Sequence, residues 1–225
     1  CRLATLCLAA AVATAAPARG GQWAIVFDGG STGTRVYVYE YALAQGRMPT
    51  LHAERSWNKK VKPGLSTFAE HPDEVGQGYM QPLLDFAKGI VPPAKQARAK
   101  VILRATAGMR LVPEAAQQKI YNALYEAVVA HGAFRPTRAN FGTLSGEDEG
   151  VFGWLAVNQL LLAARRIKPA QLGTVGALDL GGGSTQITFA ASPAVASAPL
   201  PGRAVPVFTH SHLGFGNKQV LAALT

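Results

Sequence analysis

The chain has 225 residues, 48% of them hydrophobic and 16% charged, with 24 Gly and 14 Pro; this excludes a disordered or low-complexity polypeptide and is enough to bury a real core. The formal charge of +9 is scattered, with small clusters at Lys59, Lys60 and Lys62 and at Arg165, Arg166 and Lys168; it favours anionic partners, and the lack of aromatics interleaved with these clusters argues against nucleic acid. The two cysteines are Cys1 and Cys7, so a catalytic thiol or zinc-thiolate site in the folded part is excluded.

Residues 3–16 (LATLCLAAAVATAA) form an apolar segment too short to cross a bilayer, followed by Ala16-Pro17-Ala18. This reads as an export signal cut near Ala18, its charged start missing because the chain opens with Cys; an N-terminal helix of the fold is the alternative. A mature chain without cysteine fits a bacterial periplasmic or secreted protein with no membrane span. Residues 22–27 (QWAIVF) and 35–41 (RVYVYEY) are β-rich runs joined by DGGSTGT, which predicts a hairpin with a wide turn. A third run covers 51–57. Residues 73–90 place Val75, Tyr79, Leu83, Leu84 and Phe86 at helical spacing, with Pro82 expected to kink the helix or start a second piece. Residues 100–106 (KVILRAT) read as a buried strand, Pro113 opens a helix to about His131, 138–144 is a short strand, and 146–164 is an apolar helix.

After that helix the opening pattern returns. FDGGSTGTRVYV and LDLGGGSTQITF share an apolar strand, an Asp, glycine, hydroxyl residues and a second strand. The expected organisation is a signal at 1–18, a first lobe at 19–145, and a linking helix with the start of a second, truncated lobe at 146–225. Two ordinary Gly-rich hairpins in one domain remain the plainer alternative.

Close approach of backbone to phosphate oxygens tolerates no Cβ, and successive free N–H groups make an anion-binding concavity. Gly181, Gly182 and Gly183 meet that need, with hydroxyls from Ser184 and Thr185, and from Ser31, Thr32 and Thr34 beside Gly30 and Gly33. Asp28 and Asp179, each ending a strand, are candidates to face a hydrated Mg²⁺ or Ca²⁺. RATAGMR (104–110) puts Thr106 and the Ala107 and Gly108 amides just after a strand, a usual place for a site. SGEDEGVFGW (145–154) has two readings: Ser145 and Asp148 as a helix cap, or Glu149 beside Gly150 and Gly153 as a carboxylate that orders water. Trp154 is expected in the helix core. His210 and His212 alternate on one strand and are expected to pack in core or loop rather than bind metal.

FDGGSTGTR, RATAGMR, SGEDEGVFGW and ALDLGGGSTQITF, in this order, resemble the first four signature regions of the ecto-apyrase family, the nucleoside triphosphate diphosphohydrolases and guanosine diphosphatases. KVKPGLSTF (60–68) and FTHSHLGFGNKQ (208–219) are similar to further segments of that family. The resemblance implies an α/β, two-lobed actin-like and hexokinase-like fold with ribonuclease H-like lobes, and attack of water on the terminal phosphate of a nucleoside tri- or diphosphate with no phosphoenzyme. It implies Glu149 as catalytic base, with Thr106, Ser184 and Gln186 orienting water and terminal phosphate. Ser31, Gly33 and Thr34 with Gly181 to Thr185 would cradle phosphates, and Asp28 and Asp179 would hold the hydrated metal. The competing readings are the exopolyphosphatase and guanosine pentaphosphatase family, which typically has Glu where this chain has Gln186, and a non-catalytic nucleotide-binding actin-like protein.

Overall fold

A computed structural model describes residues 21–43, 49–168, 175–200 and 203–224; the expected signal at 1–18 lies outside them. The chain divides into two compact units, one containing residues 21–42 and 50–143, the other residues 144–224.

The first unit is a sheet with strand order Thr50–His52 (β3), Gly33–Ala42 (β2), Gln22–Gly30 (β1), Lys100–Ala105 (β5) and Phe141–Thr143 (β6), where Asn58–Val61 (β4) also pairs with β2. Strands β1 (Gln22–Gly30) and β2 (Gly33–Ala42) form an antiparallel hairpin, and β5 (Lys100–Ala105) runs parallel to β1, as β6 (Phe141–Thr143) does to β5. Ala24 to Phe27 of β1 are buried in succession, as a central strand covered on both faces requires. Ile25, Phe27, Val36 and Val38 of the sheet share one core with Leu83 and Leu84 of α1 (Gln77–Ile90), Met109 of α3 (Ala107–Arg110) and Ile120, Leu124 and Val128 of α4 (Glu114–His131). The one-turn helix α2 (Pro93–Gln96) leads into β5.

Three local expectations change here. The hairpin turn is tight, with only Ser31 and Thr32 between β1 and β2. The third run is strand only at its start, β3 (Thr50–His52), and β4 (Asn58–Val61) begins beyond it, because the chain turns at Trp57, whose N–H bonds the Glu54 carbonyl at 3.0 Å while its ring packs on Trp23 at 5.5 Å. Helix α1 continues through Pro82 after a 3-10 turn at Pro72–Val75. The proline costs about 3 kcal/mol, which full burial of Met80, Leu83 and Leu84 at about 1.5–3 kcal/mol each outweighs.

In the second unit, helix α5 (Gly146–Ala163) precedes an antiparallel sheet of order β7-β8-β10-β9. Its strands are β7 (Ala177–Leu180), β8 (Ser184–Ala190), β9 (Ala196–Leu200) and β10 (Arg203–Leu213), and α6 (Asn217–Leu224) follows. Val151, Trp154 and Leu155 of α5 form a core with Ala198, Val205 and Val207 of the sheet, so Trp154 is core as expected. Strand alternation sends Thr209 and Ser211 to the face that α5 covers and His210 and His212 to the other. The histidines are therefore exposed, with ring centroids 4.4 Å apart, and the expectation that they pack in core or loop is corrected.

Candidate functional site

In the first unit, three motif segments meet at the β1–β2 turn. A Cβ on Gly108 would lie 3.3 Å from Ser31 Cα, and one on Gly64 would lie 2.6 Å from the Ser31 carbonyl oxygen. Gly33, with φ of +154°, would place a Cβ 2.2 Å from the Val61 carbonyl, so no larger residue fits there. The close approaches draw RATAGMR and KVKPGLSTF against Ser31. The Thr106 N–H bonds the Gly29 carbonyl at 3.2 Å, fixing Thr106 and Ala107 beside Gly29 and Gly30. Lys60 Nζ donates to Thr32 Oγ1 at 2.7 Å, setting a cation beside the turn. Thr34 departs from expectation: its hydroxyl is fully buried and bonded to the Tyr79 hydroxyl at 2.9 Å, so it faces the core rather than the solvent side of the turn. Asp28 is half-buried, with Arg35 of β2 and Arg104 of β5 at its own register position.

The second unit gathers Asp179, Gln186 and Ser211 in one row across β7, β8 and β10, since Asp179 pairs with Gln186 and Gln186 with Ser211. Cross-strand partners point to the same face, and here that face meets the start of α5. Ser145 caps α5 by accepting the Asp148 N–H at 2.9 Å, so the capping reading holds. Glu149 is nevertheless buried, only 9% exposed, and its Oε2 accepts from Gln186 Nε2 at 3.2 Å. A cap and a buried carboxylate thus coexist in the first turn of α5, on different residues. The approach of α5 depends on Gly150: a Cβ there would lie 2.4 Å from Thr209 Oγ1 and 2.6 Å from Thr188 Oγ1, hydroxyls that bond each other at 2.8 Å.

The glycine turn between β7 and β8 is held from behind. The carbonyls of Gly181, Gly182 and Gly183 accept the N–H groups of Asn217, Lys218 and Gly214 at 3.0, 3.1 and 3.0 Å. Gly216 seats so closely that a Cβ would lie 2.3 Å from Gly182 C. In a trans peptide the N–H points opposite to the carbonyl, so the Gly182 and Gly183 amides are directed away from residues 217 and 218, in the sense an anion needs. Ser184 is buried and accepts from Gln186 Nε2 at 2.7 Å. Thr185 turns the other way and donates to the Phe215 carbonyl at 2.7 Å; alternation along β8 separates it from Ser184 and Gln186, against the expectation that it lines the phosphate cradle with its hydroxyl.

Burial pushes the Asp179 carboxyl above its ordinary pKa, a penalty on the charged form that a nearby cation would relieve. Among the described residues no group of three or more His, Cys, Asp or Glu side chains gathers to hold a metal. A single carboxylate such as Asp28 or Asp179 suits a hard cation that keeps most of its waters. No helix among the described residues is long and apolar enough to cross a membrane.

Ser211, Thr188, Thr209 and Gly216 escape a reading of motifs, because only strand register and the seating of α5 and the 214–218 turn bring them to the site. The FTHSHLGFGNKQ segment, similar to a family segment, holds three of them, and Thr188 lies in ALDLGGGSTQITF.

The chain is 34% identical over 187 residues to the Golgi apyrase of Saccharomyces cerevisiae, covering 75% of this chain and 30% of that protein. It is 36% identical over 209 residues to the Homo sapiens nucleoside diphosphate phosphatase ENTPD5, covering 87% of this chain and 47% of that one. It thus spans less than half the length of these two relatives. Among solved structures, a nucleoside triphosphate hydrolase from Neospora caninum superposes with a TM-score of 0.62 at 19% identity, over 87% of this chain and 45% of that one, and the fold is the α/β actin-like class expected. Residues 16–224 match one family along almost their whole length, and the chain belongs to the GDA1/CD39 (nucleoside phosphatase) family.

Proposed function

We propose that the protein hydrolyses the terminal phosphate of nucleoside tri- and diphosphates with water, in a metal-dependent reaction without a covalent intermediate. One observation carries the reading: in a nucleoside phosphatase family chain, the buried Glu149 carboxylate is hydrogen-bonded to Gln186, which also bonds Ser184. A base of this kind works by geometry, holding a water near the phosphorus and taking its proton as the oxygen attacks. In the proposed step the water oxygen bonds to the terminal phosphorus and the bond to the bridging oxygen breaks. The water proton passes to Glu149, and inorganic phosphate leaves with the shortened nucleotide.

Gln186 and Ser184 orient the water in this reading, and the Gly182 and Gly183 amides bind phosphate oxygens. In the first unit Thr106, the Ala107 amide and the turn Gly30–Gly33 bind phosphate, and Lys60 adds positive charge. Asp28 of the first unit and Asp179 of the second are each candidates to hold, through water, a divalent cation, Mg²⁺ or Ca²⁺, which would offset charge developing on the phosphate oxygens. The apolar segment at 3–16 supports export of the protein to a periplasm or outside the cell.

The test is phosphate release by the purified full-length protein from ATP, ADP, GDP and long-chain polyphosphate, with Mg²⁺, Ca²⁺ or chelator. Cation-dependent release from the nucleotides supports the proposal. Release from polyphosphate alone assigns the exopolyphosphatase reaction instead, and tight nucleotide binding with no release assigns a binding protein.

A further inference from the structure

The Gln186 carboxamide nitrogen carries two hydrogens but has three acceptors within reach: Ser184 Oγ at 2.7 Å, Ser211 Oγ at 2.9 Å and Glu149 Oε2 at 3.2 Å. The longest contact is the one to the carboxylate, and the two serine hydroxyls hold the amide at the shorter distances. Ser184 lies two residues away on the same strand, whereas Ser211 is its direct cross-strand partner on β10. Rotating the amide by half a turn would set Oε1 against Glu149 Oε2, acceptor against acceptor, whereas the serine hydroxyls, able to donate or accept, hold the carboxamide in place before the carboxylate. An amide with its nitrogen toward Glu149 presents the carboxylate with a donor and leaves Oε1 available as an acceptor.

We infer that Ser211 is a positioning residue for the hydrolytic step: its hydroxyl holds the Gln186 amide with Nε2 toward Glu149. Ser211 acts through Gln186 and does not touch the substrate. The inference rests on the hydrolase reading proposed above. It adds a residue outside the four signature motifs to the machinery, and its placement in FTHSHLGFGNKQ gives that segment a function.

Two variants of the full-length protein, Ser211→Ala and Ser211→Thr, test it. Loss of one oriented hydrogen bond predicts that Ser211→Ala lowers kcat about 3- to 30-fold, with KM for the nucleotide unchanged within about twofold. Ser211→Thr keeps the hydroxyl on a β-branched side chain suited to a strand and restores kcat. Wild-type kcat in the alanine variant, an effect confined to KM, or equal loss in both variants would overturn the inference.

The side-chain ¹⁵N–¹H resonances of Gln186, measured without substrate, give a readout independent of turnover. A held amide shows two protons displaced from the shifts of a free carboxamide and slow to exchange with water; in Ser211→Ala they move toward the free shifts and exchange faster, and they recover in Ser211→Thr. Unchanged resonances in Ser211→Ala overturn the positioning role. Should the wild-type protein release no phosphate from any nucleotide, the hydrolase reading fails and the catalytic part of the inference with it, while the resonances still decide whether Ser211 orients Gln186.

Discussion

Gln186 Nε2 donates to Glu149 Oε2 across 3.2 Å, joining the first turn of α5 to the second strand of the second sheet. Replacing Glu149 by Gln keeps the size of the side chain and removes the carboxylate. The expected outcome is nucleotide affinity near wild type, measured by calorimetry, with turnover reduced by roughly two to four orders of magnitude. Normal turnover in this variant would remove Glu149 from the role of base.

Gly150 is a packing requirement with a functional consequence. Ala gains up to about 1 kcal/mol in helix propensity over Gly, but the new Cβ would sit 2.4 and 2.6 Å from the two threonine hydroxyls beneath it. Relieving that overlap costs about 1–3 kcal/mol. Gly150→Ala is therefore expected to lower the melting temperature and, by lifting the start of α5, to reduce turnover too. Gly153, with open space around its Cβ position, is the control: Gly153→Ala should hold or raise the melting temperature.

Asp179→Asn removes the charge and retains the shape. If the carboxylate holds the waters of a cation, half-maximal activity should require about tenfold more Mg²⁺ or Ca²⁺ or beyond, as for other outer-shell groups, and saturating cation should recover much of kcat. A titration of activity against free cation reads this directly. An unchanged titration would detach Asp179 from the metal.

Tyr121 supplies a test of stability in the first unit. Its hydroxyl bonds Thr143 Oγ1, which in turn donates to Gln117 Oε1 at 2.5 Å, and burial pushes its pKa up to about 12. A folded pKa raised above the unfolded value means that stability is complete below pH 10 and falls as pH rises from 10 toward 12. The loss amounts to on the order of 2–3 kcal/mol. Denaturant unfolding of Tyr121→Phe across pH 8 to 11.5 should show a flatter alkaline limb than wild type, at the cost of a lower plateau near neutrality from the lost hydrogen bond.

The strand-turn-strand units around Asp28 and Asp179, the cap Ser145–Asp148 and the burial of Trp154 were legible along the chain, because each rests on neighbours within a few residues: alternation, glycine content, capping geometry. Where Thr34 and Thr185 point was not. Both lie in hydroxyl-rich turns that read as phosphate ligands, yet each turns away, one to Tyr79, 45 residues on, and one to Phe215, 30 residues on. Side-chain direction there follows strand phase, and phase follows from which face the core takes.

By itself, then, the sequence determined the two glycine turns and the acids beside them, since local spacing acts without partners, while the fold class came through the resemblance of its motifs to a family. Tertiary structure alone decided that Glu149 would be buried against Gln186, that Ser211 would join that row, and that Gly150 and Gly216 would be points of closest approach. Those outcomes depend on register between strands and on how near a helix and a loop are able to come, and burial of the shared apolar face sets both.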